Sequence, residues 1–275
     1  MANLYYREDL QAEAFEVGAE IEVRGEEARH AVRVSRLRAG ERILVGNGAG
    51  ALGAGEVVAV DRERFAVRLD EARIEPLPVR PLVLVQALAK GDRDERAVEQ
   101  ATEFGADLVM PWQAARSVSR WGGVGSAGGT GGAEKAAKGV AKWRRIAREA
   151  SKQSLRPRIP VVTEPVTLGE LCGWAAAGAA VIALHPSGER ALSAFAREEL
   201  AARFAADPEP GGLAPGDPAG GAFIVVGPEG GFADAELEAL ESAGASILVL
   251  GDTVLRTSSA GPAALAVLNA ALGRW

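Results

Sequence analysis

Two glycine-rich segments of this 275-residue sequence place charged side chains where strands should end. The first, Phe223-Ile-Val-Val-Gly-Pro-Glu-Gly-Gly-Phe-Ala-Asp-Ala-Glu-Leu237, reads as a buried strand that runs into a turn and then a helix. Ligands of open parallel sheets bind beyond the carboxyl ends of the strands, so Gly227, Pro228, Glu229, Gly230 and Gly231 occupy a site position. Glycines there let a ligand approach backbone groups closely, although a strand-to-helix turn can need glycine for its geometry alone. The second segment, Ile247 to Pro262, repeats the pattern with Leu250, Gly251, Leu255, Arg256 and Thr257 in an irregular loop before an apolar helix. One such loop is ordinary; two, one carrying a carboxylate and the other a guanidinium, can close on one crevice and bind a ligand between them.

Such loops need a sheet to hold them. Apolar strands are predicted at Leu82–Val85, Leu108–Met110, Val161-Val162, Ala180–Leu184, Phe223–Val226 and Ile247–Leu250, with helices at Asp92–Phe104, Glu134–Leu155, Leu168–Ala177, Ser193–Phe204, Asp234–Ser242 and Pro262–Leu272. Alternation of this kind means a parallel sheet covered by helices on both faces. Two low-complexity inserts, Gly122–Gly132 and Asp207–Gly221, are too rich in glycine and proline to pack and are expected to be mobile surface loops. Upstream, Ile21–Val23, Arg42–Val45, Glu56–Val60 and Phe65–Leu69 read as short strands, with a hairpin signal at Asn47-Gly48. They suggest a small β-rich barrel or sandwich, closed off by the linker Glu75-Pro-Leu-Pro78.

Composition narrows the function classes. With 48% hydrophobic and 25% charged residues the chain matches a folded globular protein. One cysteine, Cys172, and 2 His leave no zinc site to build, so no metal is expected. The amino-terminal residues lack the apolar stretch of a signal peptide and no run reaches membrane-spanning length, so a cytoplasmic location is expected. Two literal G-x-G-x-x-G matches, Gly48–Gly53 and Gly123–Gly128, are misleading: the first leads into a strand and the second lies in an insert, whereas the dinucleotide fingerprint needs a strand-to-helix turn. The net charge of −6 argues against a nonspecific nucleic-acid coat. It is unevenly spread, however. Arg29–Arg42 holds five arginines and His30 against Glu41, and Lys135–Arg158 holds nine Lys/Arg against Glu149. A solvated helix face would explain either patch alone; two in an acidic chain favour phosphate contact.

Val226-Gly-Pro-Glu-Gly-Gly-Phe232 and Leu250-Gly-x-x-Val-Leu-Arg-Thr257 resemble the two signature loops of the 16S ribosomal RNA uridine-N3 methyltransferases, in the SPOUT class. Lys90-Gly-Asp-Arg93, Gln100–Gly105, Arg116-Ser-Val118, Lys142–Gln153 and Arg156 follow the family's order, and Arg29–Arg38 looks like part of its PUA-like domain. The resemblance spans nearly the whole chain. It implies an α/β fold: a PUA-like RNA-binding β-barrel over residues 1–75, then a SPOUT methyltransferase domain over 76–275 with a parallel sheet and a deep trefoil knot. It implies a homodimer with the knot and last helix at the interface, and S-adenosylmethionine as cofactor, held by Leu184, His185, Gly227 to Gly231, Leu250, Gly251, Leu255, Arg256 and Thr257. Two departures stand out, Arg256-Thr-Ser-Ser259 where many relatives have Arg-Thr-Glu-Thr, and Asp252-Thr253 in place of a commoner Pro-Arg.

The implied reaction is transfer of a methyl group to N3 of a specific uridine in the 16S RNA of the small ribosomal subunit. Positioning the base and removing the N3 proton are its main tasks. Arg256 would orient the uracil or stabilise charge on its carbonyl oxygens. Glu229 would accept the proton or, equally, stabilise the N-terminus of the following helix. His185 is expected to be a pocket wall. Contacts to RNA are expected from Arg29, His30, Arg33, Arg36 and Arg38 in the first patch, and from Lys142, Arg145, Lys152 and Arg156 in the second. Alternatives are a SPOUT enzyme that methylates a ribose 2′-hydroxyl or another RNA, and a noncatalytic RNA-binding assembly factor.

Overall fold

In the computed structural model, residues 3–122, 130–206 and 220–275 are described. Most of the two inserts and the Gly123–Gly128 motif lie outside the described residues. The chain forms two compact units. The first runs to Leu77 and also takes Arg148–Ile159, a segment that no linear division of the chain anticipates; the second holds Pro78–Ala147 and the remainder from Pro160.

The first unit is a five-stranded sheet of β1 (Leu4–Tyr6), β2 (Glu20–Arg24), β3 (Arg42–Gly46), β4 (Ala51–Val60) and β5 (Arg64–Ile74), in the order β1-β3-β4-β5-β2. Pairing is antiparallel except between β1 and β3. Alternation in β5 sends Phe65, Val67 and Leu69 inward and Arg68 and Asp70 outward. Register shifts at Ala54/Gly55 and Val57/Ala59 bend β4 and curl the sheet. The Asn47-Gly48 hairpin forms as expected, and the Asn47 side-chain carbonyl accepts from the N–H groups of Ala49 and Ala51. The Gly48–Gly53 motif thus serves a hairpin. Helix α1 (Gly25–Arg33) covers the sheet with Ala28 and Ala31. Its apolar face is alanine, too faint to be read as a helix stripe among so many charges.

The second unit carries seven parallel strands: β6 (Leu82–Ala87), β7 (Leu108–Trp112), β8 (Val161–Val162), β9 (Ala180–Leu184), β10 (Arg190–Ala191), β11 (Ala222–Val226) and β12 (Ser246–Val249). Their order is β10-β12-β9-β11-β6-β7-β8. Helices α4 (Leu168–Ala176) and α7 (Asp234–Ser242) pack on the face that carries Val83, Val85, Val181, Phe223 and Val225. Helix α8 (Thr257–Ala271) packs against the opposite face, with Gly261 against Leu84, and α2 (Arg93–Glu103) packs on α8. Helix α3 (Thr130–Gln153) buries Val140 and Trp143 and passes from this unit into the first at Arg148.

Two predicted helices differ from expectation. Residues 193–204 fold as α5 (Leu192–Phe195), a π-helical turn over Ala196–Leu200 and α6 (Ala201–Ala205). Helix α8 begins at Thr257, five positions before the expected start at Pro262. Gly261 and Pro262 look like punctuation in sequence, yet both are buried, because a compact backbone is what fits beneath Leu84. Thr257 is therefore helical and Arg256 is the N-cap residue.

Candidate active site

Strand β11 lies on one side of β9 and β12 on the other. The chain therefore reverses direction across the sheet at this point, and the loops after all three strands come together at their carboxyl ends. A cavity of about 860 Å³ opens there. Leu184, His185, Gly227 to Gly231, Leu250, Gly251, Leu255, Arg256 and Thr257, the whole set named from sequence, line it. Arg93, at the start of α2, lines it as well.

The β11–α7 loop is fixed from behind by side chains. Trp112 Nε1 donates to the Val226 carbonyl at 3.0 Å, and Thr257 Oγ1 donates to the Gly227 carbonyl at 2.7 Å. Arg116 reaches the carbonyls of Gly230 at 3.3 Å and Phe232 at 2.7 Å. Phe232 folds back under the loop, packing on Trp112 and on the edge of His185, and a Cβ on Gly227 would sit 3.1 Å from its ring. Gly231 lies in the left-handed region at φ +68, and a Cβ on Gly231 or Gly251 would meet no atom within 4 Å. These two glycines bare their backbone to open space, as a cradle for a ligand requires.

Glu229 faces the turn before α2. Its Oε1 accepts from Lys90 N–H at 3.0 Å and from Arg93 Nη1 at 2.7 Å. Burial pushes its carboxyl up, but its own backbone N–H, the Arg93 guanidinium and Lys90 N–H outweigh that and hold it below the usual carboxylate range. The bonds to Lys90 and Arg93 tie Glu229 to the turn that opens α2. At the start of α7 Glu236 accepts from Ala233 N–H and from Ala115 N–H.

Arg256 is exposed at the cavity, and among the described residues no carboxylate pairs with it. His185 Nδ1 lies 2.7 Å from Ser187 Oγ and 3.2 Å from Ser187 N, so Ser187 fixes the ring at the cavity. In the first unit Arg29, His30, Arg33, Arg36 and Arg38 are all exposed on α1 and the loop after it. The second patch separates. Lys142 pairs with Glu95, and Lys152, with its side chain 12% exposed, pairs with Glu27 at 3.0 Å and Glu149 at 3.7 Å. Arg145 is exposed, and Arg156 is half-buried with its carbonyl accepting from Tyr6 OH.

The RNA methyltransferase domain family covers residues 75–269, and the RNA methyltransferase PUA domain covers residues 23–70. The chain belongs to the RNA methyltransferase family. Ribosomal RNA small subunit methyltransferase E of Mycobacterium bovis is 39% identical across all of this chain and 94% of its own length. The Bacillus subtilis protein of that name is 29% identical over 95% of this chain and 94% of its own. Among solved structures, a Legionella pneumophila methyltransferase in complex with S-adenosylmethionine superposes with a TM-score of 0.72 at 26% identity, covering 98% of each chain. Ribosomal RNA small subunit methyltransferase E of Neisseria gonorrhoeae, bound to S-adenosylmethionine, gives a TM-score of 0.71 at 22% identity, again over 98% of each chain. This RNA methyltransferase thus has the SPOUT-type sheet and PUA-like module that its two signature loops implied.

Arg93, Arg116 and Trp112 are residues at the site that sequence reading left without a role. Lys90–Arg93 and Arg116 stood inside segments that resemble the family. Their tasks become visible only when the sheet order sets β6 and β7 beside β11.

Proposed function

We propose that this protein is an S-adenosylmethionine-dependent methyltransferase that modifies N3 of a uridine in the 16S RNA of the small ribosomal subunit. The observation that carries the reading is the convergence of three strand-end loops on one cavity that holds the exposed guanidinium of Arg256. The cavity suits the cofactor: Leu184, Val226 and Leu250 offer apolar surface, and Gly231 and Gly251 leave backbone groups approachable. When bound there, S-adenosylmethionine supplies an electrophilic methyl group on a sulfonium centre. Arg256 orients the uracil and stabilises negative charge on its carbonyl oxygens as N3 releases its proton to solvent. Glu229 is a positioning residue that holds Lys90 and Arg93 against the loop. The His185 and Phe232 rings wall the cavity.

The exposed arginines of α1 grip RNA phosphates in the PUA-like module, and Arg145 adds to them from α3. The protein acts as a cytoplasmic homodimer with a knotted carboxyl-terminal segment, α8 supplying apolar residues to the interface. No helix among the described residues is long and apolar enough to cross a membrane.

Nucleoside mass spectrometry of 16S RNA from a deletion strain tests the reading. Loss of N3-methyluridine, restored by the intact gene but not by Arg256→Ala, is expected. Persistence of that nucleoside, or loss of a ribose-methylated one instead, would refute the assignment. In purified protein Arg256→Ala should lower turnover about 100-fold or more while leaving cofactor affinity within a few-fold.

A further inference from the structure

We infer that Gln86, which belongs to neither glycine-rich loop, is a positioning residue for the cavity and acts through Thr257 on the Gly227–Pro228 peptide. The inference rests on the cofactor reading above. Gln86 is the penultimate residue of β6 and is wholly buried. Its Nε2 donates to the Ala87 carbonyl at 3.1 Å and to Thr257 Oγ1 at 2.9 Å. Those two acceptors fix the amide, since the flipped orientation would turn Oε1 toward a carbonyl oxygen. Thr257, itself buried, has one hydroxyl proton, and it goes to the Gly227 carbonyl at 2.7 Å. The relay therefore has a single direction, from the Gln86 amide through the Thr257 hydroxyl to Gly227.

Three features make this more than a core contact. The peptide that follows Gly227 ends on Pro228 and carries no N–H, so its carbonyl is the one polar handle by which it can be oriented. Thr257 directly follows Arg256, so the hydroxyl that orients Gly227 also fixes the first turn of α8 behind the catalytic guanidinium. Finally, Gln86 Oε1 has no hydrogen-bond partner among the described residues. A Met or Leu in this strand would avoid that buried, unpaired oxygen, so stability alone gives no reason for glutamine here. The Thr257 hydroxyl is spent inside the protein. It serves the ligand through Gly227.

The test compares Gln86→Met, Thr257→Val and Thr257→Ser in the full-length protein, with Val83→Ala as a core control on the other face of β6. Calorimetric titration with S-adenosylmethionine, amide hydrogen exchange over residues 226–232 without cofactor, and Tm are read for each. Gln86→Met and Thr257→Val should raise Kd about ten-fold and speed exchange in that segment by a similar factor. Thr257→Ser, which keeps the hydroxyl, should stay within about two-fold, and Val83→Ala should lower Tm with Kd unchanged. Unchanged exchange in Gln86→Met, or a Thr257→Ser protein as impaired as Thr257→Val, would overturn the relay. If the unaltered protein failed to bind S-adenosylmethionine while exchange still rose in the two relay variants, the cofactor reading would fall and the relay would stand.

Discussion

The basic stretch from Arg29 to Arg38 and the one from Lys135 to Arg158 look alike as strings of letters, and the fold treats them in opposite ways. On α1 and its following loop, Arg29, Arg33, Arg36 and Arg38 are exposed, and among the described residues none of these side chains has a carboxylate partner. Along α3 most cations are already engaged. Lys138 pairs with Glu134, Lys142 with Glu95, Arg144 with Glu164 and the Val162 carbonyl, and Arg148 with Glu8, Glu27 and Glu149. Lys152 and Arg148 also sit over the rings of Tyr5 and Tyr6, so their heads are held among the first unit's own aromatics. Charge density alone says nothing about whether a charge is free to meet phosphate. The neighbours that neutralise it come from distant parts of the chain.

The sharpest way to break this contrast is at Glu27, whose side chain is only 14% exposed. Glu27→Ala removes an acceptor from Lys152, Arg148 and the Tyr6 N–H together. Stripping a buried ion pair of one partner costs about 3 kcal/mol, and urea unfolding should show a loss of that order. Lys152→Ala should cost less, about 2 kcal/mol, because Arg148 stays with Glu27. Binding of 16S-derived RNA by folded Lys152→Ala should keep its salt dependence. A protein of normal stability with a shallower salt slope would mean that Lys152 belongs with the α1 arginines after all.

The reverse result is expected on α1. Arg29→Ala combined with Arg33→Ala should leave stability within about 0.5 kcal/mol, since both residues are exposed. If each neutralises one phosphate of a single strand, the slope of log affinity against log salt should shrink by about 1.4. Affinity near physiological salt would fall roughly ten-fold. An unchanged slope, measured by fluorescence anisotropy over a salt series, would remove α1 from the RNA-binding surface.

The same contrast explains what could be read from sequence. Strands β9 and β11 are continuous apolar runs closed by His185-Pro186 and by Gly227, so both they and the loops after them were legible. Most of the residues lining the cavity lie in the two loops whose motifs resemble the family's, and Arg93 lies outside them. What escaped reading depends on partners far away in the chain: the ion pair from Glu229 to Arg93, the hydroxyl of Thr257 on Gly227, and the Glu27–Lys152 pair. Helix α1 was missed because alanine forms its buried face, and the start of α8 because Gly261-Pro262 resembles a boundary when only local preference is weighed. The assignment of Arg148–Ile159 to the first unit follows from those same long-range pairs and from Leu155 and Ile159, which pack on Leu4, Tyr6 and Leu52.

The finest distinction lies within α3 itself, between Lys142 and Arg145. Lys142 is half-exposed and already bonded to Glu95, whereas Arg145, less than one turn further on, is exposed with no carboxylate partner among the described residues. An exposed ion pair of this kind contributes between about 0.2 and 1 kcal/mol, so Lys142→Ala should barely move the unfolding midpoint. Its effect on RNA binding should also be small, because leaving Glu95 for a phosphate exchanges one anionic partner for another. Arg145→Ala removes a charge with no internal claim on it and should reduce the salt slope by about 0.7 with stability unchanged. Equal slopes for the two variants would show that pairing within the protein does not govern which α3 cations reach RNA, and the distinction drawn between the two basic regions would then rest on α1 alone.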